Sequence, residues 1–139
     1  MSEWIDRSDR LSHLFESAPS VMGLDTEFMR TDTYAPKLAL VQLIIDTHIA
    51  LIDPLVDIDF KPLANYLSDP GVLCIMHSAS EDLEALALLV PQGLGQLFDT
   101  QIAAVFAGLG AGVGYQKLVF EITGIALEKG QTRSDWLQR

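Results

Sequence analysis

The chain contains a single cysteine, Cys74, set inside an apolar run. An intrachain disulfide is therefore impossible and a cysteine-based zinc cage is excluded, which points to a reducing compartment. Basic residues are also scarce: 9 Lys and Arg stand against 19 Asp and Glu, giving a formal charge of −10 and a pI near 4.4. That balance excludes the broad cationic field with which most nucleic-acid binders release counterions from phosphates. It leaves room for an acidic phosphodiester enzyme in which divalent ions, placed between protein carboxylates and substrate phosphates, set the local sign. No stretch approaches the ~18 uninterrupted apolar residues of a membrane span. The best candidate, residues 38–52, is broken by Gln42, Asp46, Thr47 and His48. The opening Met-Ser-Glu-Trp-Ile-Asp-Arg mixes charges early and offers no basic flank before an apolar core, so it does not read as a secretory signal. Repeats and low-complexity segments are missing as well. What is present is ordinary globular composition, 139 residues at 49% hydrophobic and 20% charged, sufficient for one domain spanning residues 1–139. A soluble, cytoplasmic protein without a membrane partner is expected.

Hydrophobic spacing supplies the elements. Leu11, Leu14 and Phe15 repeat at helical intervals over residues 9–17, with Asp9 or Ser8 as N-cap and Pro19 as terminator. Residues 21–28 lean to strand, residues 38–45 form a near-continuous buried-strand run, and residues 48–52 form a third strand after the turn-like Asp46-Thr47. Three neighbouring strands with short connections predict an antiparallel meander. Beyond Asp53-Pro54, Phe60, Leu63, Ala64 and Leu67 predict a helix capped by Asp57 or Asp59 and stopped at Asp69-Pro70-Gly71. A strand at 72–76, a helix at 80–90, a short strand at Leu97-Phe98, a helix at 99–107, a Gly-rich link at 108–114 and a helix at 115–123 follow. Meander first and β-α-β alternation afterwards read as an α/β domain with a mixed central sheet flanked by helices.

Two places break the local rules. In Gly23-Leu-Asp25-Thr-Glu27-Phe, the strand period of two puts Asp25 and Glu27 on one face and Leu24, Thr26 and Phe28 on the other. Two adjacent carboxylates repel, so the pair is read either as ligands of a hard divalent cation or as solvated acids where the strand end meets water. In His77-Ser-Ala-Ser-Glu81-Asp82-Leu-Glu84, a wheel of ~100° per residue sets Asp82 within about 40° of Leu86 and Leu89, while Glu84 lies about 160° away. Asp82 therefore belongs to the apolar stripe, and Glu81 and Glu84 belong to the solvated face. An inward carboxylate must be paired, hydrogen-bonded, protonated or metal-bound. The rival reading is a carboxylate that caps its own first turn. A strand pair and an inward helical acid about 55 residues further on are able to form one shared cluster.

In order and spacing, the segments Gly23-Leu-Asp25-Thr-Glu27-Phe, Ala50-Leu-Ile-Asp53-Pro54-Leu, His77-Ser-Ala-Ser-Glu-Asp82-Leu-Glu84, Phe98-Asp99-Thr-Gln101-Ile-Ala-Ala and Thr132-Arg-Ser-Asp135-Trp136-Leu resemble the catalytic domain of bacterial ribonuclease D. That family belongs to the DEDD superfamily of 3′–5′ exonucleases with a ribonuclease H-like fold. The resemblance covers essentially the whole chain. It implies that Asp25, Glu27 and Asp82 are catalytic carboxylates holding two divalent ions, Mg²⁺ or Mn²⁺. It also implies hydrolysis at a single-stranded RNA 3′ end, with tRNA precursors as substrates by analogy. The family's fourth aspartate and its water-orienting tyrosine follow the Asp-Trp-Leu segment. No Tyr-x-x-x-Asp pattern occurs here, and Tyr34, Tyr66 and Tyr115 stand in other contexts. The chain is accordingly expected to be C-terminally truncated and weakly active or inactive.

Rival functions are a DNA-directed exonuclease of the same superfamily and a non-catalytic module. The module would bind nucleic acid or protein, or associate with itself, through surface uncovered by truncation. Among the remaining conspicuous residues, Asp99 is read as an N-cap and His77 as a residue placed to hydrogen-bond a carboxylate beside the substrate. Phe28 is a candidate platform for the terminal base, with core packing as the alternative. His13 and His48 are read as surface or turn residues. Arg30, Lys37, Lys129, Arg133 and Arg139 are either phosphate contacts or solubilising charges.

Overall fold

A computed structural model describes residues 1–30, 34–128 and 135–138. Its centre is a six-stranded mixed sheet in the order β1-β4-β3-β2-β5-β6. Strands β2 (Val21–Met29), β3 (Lys37–Ile45) and β4 (His48–Ile52) form the antiparallel meander that the apolar runs predict. The β3–β4 turn places Asp46 at φ 54°, a left-handed conformation that aspartate tolerates because its short side chain can bond locally. Strand β1 (Ser2–Ile5) was not anticipated. Four residues with two polar side chains give no period to read, and only pairing with β4 in parallel makes them a strand. Strands β5 (Leu73–Met76) and β6 (Gln96–Asp99) extend the other edge in parallel, through right-sized helical crossovers.

Alternation sorts the two faces of the sheet. Met22, Leu24 and Thr26 of β2, Val41 and Leu43 of β3, and Ala50 and Ile52 of β4 all point inward and are buried. Leu11 from α1 (Ser8–Leu14), Leu63 and Leu67 from α2 (Lys61–Ser68) and Leu86 from α3 (Ser80–Leu86) complete the same apolar cluster. The opposite face carries Asp25 and Glu27 among exposed apolar neighbours: Trp4, Val21, Ile44 and Ile49. Helices α4 (Thr100–Phe106) and α5 (Tyr115–Thr123) sit apart on a small cluster of Ala104, Val113 and Leu118.

Two local expectations are corrected. Helix α1 is flanked by Arg7 without a side-chain cap; Asp9 pairs with Arg7 at 2.9 Å, and the Ser8 hydroxyl instead accepts from the Asp59 amide at 3.1 Å. Helix α3 stops at Leu86 rather than continuing to Val90. The amides of Ala87 and Leu89 reach back only three residues, to Glu84 and Leu86, so the last turn tightens before Pro91 closes the segment.

Candidate active site

Strand β2 lies in the middle of the sheet, between antiparallel β3 and parallel β5, and presents Asp25 and Glu27 on the outer face opposite Gln42 and Leu40. The register slips between Glu27 and Phe28: Phe28 faces Leu38, which leaves Ala39 as an extra residue on β3. Such a bulge sharpens the local twist. Here it does so at the second acid of the pair.

Asp82 approaches from the inner side. It lies in the first turn of α3, is buried as the helical wheel requires, and its Oδ1 accepts the Thr26 hydroxyl at 2.5 Å. Thr26 sits between the two acids of the strand and points the other way, so one hydroxyl connects the helix carboxylate to the strand that carries the other two. The sequence reading overlooked Thr26 in this role. Its signal was a hydroxyl on an otherwise apolar strand face, matched by an inward acid on a helix; each needed a partner that the core could not supply.

The three carboxylates are electrostatically coupled. Burial raises the Glu27 carboxyl above its ordinary range, and the charges of Asp25 and then Asp82 raise it further. Burial likewise raises Asp82; the Thr26 hydrogen bond offsets part of this, and the Asp25 charge adds to it. Asp25, though reached by solvent, is raised by the surrounding sheet, against a weaker opposing effect from the Thr26 backbone. No Lys, Arg or His among the described residues forms an ion pair with any of the three.

These acids titrate above ordinary values in the folded chain. Folded molecules therefore hold more protons than unfolded ones between the ordinary and the raised pKa, so stability falls as pH rises through that window. The penalty is complete once the pH lies above the raised values. Glu27→Gln is accordingly expected to raise the melting temperature of the metal-free protein at pH 7 by a few degrees. Thermal unfolding in EDTA measures this, and an unchanged or lower midpoint would contradict the coupling.

Oxygen donors carrying this much unneutralised charge suit a hard divalent cation in type and in sign. Their positions are less closed than the sequence reading expected. Among the described residues no three His, Cys, Asp or Glu side chains converge tightly enough to hold a metal ion. Asp25 and Glu27 form the pair on the open face, and Asp82 is drawn to Thr26.

Other candidates fall elsewhere. Arg30 meets no carboxylate of the cluster; its guanidinium bonds Glu84 at 2.6 Å and lies 3.6 Å from Glu81, tying the end of β2 to the exposed side of α3. Both glutamates are exposed as expected, yet they are paired. Among the described residues His77 bonds no carboxylate. Its Nδ1 meets the Thr100 hydroxyl at 2.8 Å, its Nε2 donates to the Val113 carbonyl at 2.9 Å, and its ring stands edge-on to Tyr115. Phe28 is half-buried and Lys37 exposed. Asp99 is the N-cap it was read to be, accepting from Gln101 and Ile102. His13 is exposed beside Glu16, and His48 contacts Glu3. Lys129, Arg133 and Arg139 lie outside the described residues.

A family of 3′–5′ exonucleases matches residues 2–139. The chain belongs to this 3′–5′ exonuclease family. Ribonuclease D of Xanthomonas oryzae pv. oryzae is 49% identical over 140 residues, covering 100% of this chain and 39% of that protein. The crystal structure of Escherichia coli RNase D, an exoribonuclease involved in structured RNA processing, superimposes with a TM-score of 0.93 at 41% identity; the match covers 100% of this chain and 38% of that one. The EXO domain of Aedes aegypti Nibbler, 19% identical with a TM-score of 0.81 over 99% of this chain and 75% of its own, shares the fold. The chain thus spans about two fifths of the length of these two ribonuclease D proteins. The exonuclease fold and the ribonuclease D kinship anticipated from the motifs are both present, and divalent metal ions are the general cofactors of this family.

Proposed function

We propose that the chain is the catalytic part of a metal-dependent 3′–5′ exoribonuclease of the ribonuclease D type, using Mg²⁺ or Mn²⁺ on the 3′ end of single-stranded RNA. The observation that carries this reading is that Asp25 and Glu27 share one face of β2 while Asp82 is bonded to Thr26 between them, with no cation paired to any of the three among the described residues. The kinship with ribonuclease D, of which the Escherichia coli protein is an exoribonuclease involved in structured RNA processing, supports RNA over DNA, with precursor tRNAs as the proposed substrate class. Asp25 and Glu27 would hold the ion on the open sheet face, with Asp82 completing the set from α3. A bound divalent ion would supply an acidified water and stabilise charge on the leaving oxygen. It would also neutralise the phosphate that a chain of charge −10 otherwise repels.

The protein's own part is placement. Thr26 holds the Asp82 carboxylate, and the Arg30 ion pairs brace α3 against the end of β2. Phe28, half-buried at the bulge and next to Glu27 in sequence, is the candidate aromatic platform for the terminal base. With both nitrogens engaged, His77 reaches substrate only through the loop it pins. The exposed apolar residues around the acids support self-association of the chain through that face.

Calorimetric titration with Mn²⁺ tests the site. Binding is expected in the parent chain and absent in Asp25→Ala, and sedimentation of the same samples reports association. A parent that binds no Mn²⁺, or an Asp25→Ala variant that binds it equally well, removes the basis of the reading.

A further inference from the structure

Asp99 does more than cap its own helix. It stands at the carboxyl end of β6, directly across from Met76 of β5 in the parallel register. From there its side chain reaches the turn that leads from β5 into α3. Oδ1 accepts the Ser78 amide at 3.0 Å and the Gln101 amide at 2.8 Å, with Ile102 more distant at 3.4 Å; Oδ2 accepts the Ala79 amide at 2.9 Å. One carboxylate therefore serves the amino ends of two helices.

The arrangement answers a need of α3. Ala79 flanks that helix and can offer no capping side chain, and its own amide finds its acceptor outside the helix, in Asp99. Ser78 adopts φ 58°, a left-handed conformation that is strained for a residue other than glycine and persists only where neighbours enforce it. The same turn is held at its two preceding residues. The Thr100 hydroxyl bonds the Met76 carbonyl at 3.1 Å, and His77 is fixed between Thr100 and Val113. Asp82 follows Ala79 by three residues, less than one helical turn, so a shift of this turn is passed directly to the Asp82 carboxylate.

We propose that Asp99 is a positioning residue: by gathering the Ser78 and Ala79 amides it sets the start of α3, and through it the placement of Asp82 against Thr26 in the acidic cluster. Asp99 itself touches neither ion nor substrate. The consequence for metal binding rests on the reading of Asp25, Glu27 and Asp82 as metal ligands; the consequence for the placement of Asp82 does not.

The test uses the full chain and Asp99→Asn, whose amide nitrogen presents hydrogens to backbone N–H groups where the carboxylate oxygen accepted them. In metal-free ¹H–¹⁵N spectra the amides of Thr26 and Asp82 are expected to shift along with those of Ser78 and Ala79, while the amides of β4 stay in place. Mn²⁺ affinity should weaken by about 10- to 100-fold, the range found for residues that orient metal ligands. Paramagnetic broadening by Mn²⁺ at Asp82 should fall relative to that at Asp25, a change that general loosening of the fold would not produce. If Ser78 and Ala79 shift while Thr26 and Asp82 do not, or if Asp82 is broadened as in the parent, the proposal is overturned. Should the parent bind no Mn²⁺, the metal-site reading fails and the metal-free spectra still decide the placement. If Asp99→Asn does not fold, combining it with Ser78→Gly removes the turn strain without restoring the acceptor, and the same spectra apply.

Discussion

Gly95→Ala is expected to lower the melting temperature by on the order of 10 °C, the effect of a clash that costs about 3 kcal/mol in a domain of this size. Gly95 enters β6 with its amide bonded to the Leu67 carbonyl at 2.8 Å, pressed against the turn at the end of α2. A Cβ there would stand 1.8 Å from the Asp69 carbonyl oxygen and 2.4 Å from its carbon. Both are backbone atoms, so no rotamer change relieves the overlap; either β6 or the Asp69-Pro70 turn must move. Since β6 carries Asp99 at its far end, the movement also threatens the start of α3. Gly114→Ala is the matched control. Gly114 has φ −71° and no heavy atom within 4 Å of the added carbon, so the variant's stability should stay within about 1 kcal/mol of the parent's. Differential scanning calorimetry separates the two, and equal midpoints would show that the contact at Gly95 yields without strain.

Thr26→Val is expected to cost about 1–3 kcal/mol at neutral pH, although valine matches threonine closely in shape. The substitution removes the hydroxyl donor from a buried carboxylate, and the apolar methyl that replaces it cannot accept or donate. Because the hydrogen bond stabilises the ionised form of Asp82, the loss applies wherever Asp82 is charged in the folded chain and fades as falling pH protonates it. Urea unfolding at pH 7 should therefore show a wide gap between parent and variant, and the gap should narrow on acidification. Thr26→Ser, which keeps the hydroxyl, should recover most of the difference at pH 7. A Thr26→Val variant as stable as the parent at neutral pH would mean that Asp82 is held by backbone groups alone.

Much of the architecture was legible because it follows local periods. The meander of β2, β3 and β4 alternates or runs apolar strongly enough to reveal itself, and α5 was placed at the residues where it is found, between the flexible Gly-rich link and Gly124. Strand β1 left no such trace, since its identity depends on a partner more than 40 residues away. The ends of α1 and α3 also differed from the pattern: α1 lacks a side-chain cap, its Ser8 hydroxyl being bonded to the distant Asp59 amide, and α3 tightens at Ala87 and Leu89 ahead of Pro91.

The same division runs through the site. Period two on a strand put Asp25 and Glu27 on one face, and period 3.6 on a helix turned Asp82 inward; both are consequences of backbone geometry that any strand or helix obeys. The motif order identified the exonuclease family without coordinates. What local periods could not contain is the meeting of groups distant in sequence. Only the folded sheet brings Thr26 to Asp82, engages Arg30 with Glu84 instead of leaving it free for phosphate, and commits both nitrogens of His77 to its own loop. These contacts depend on strand order and on the parallel register of β5 and β6, which sets Asp99 across from Met76. Local spacing determined which side chains turn inward or outward; the tertiary fold decided what each of them meets, because hydrogen-bond partners are chosen by distance in space.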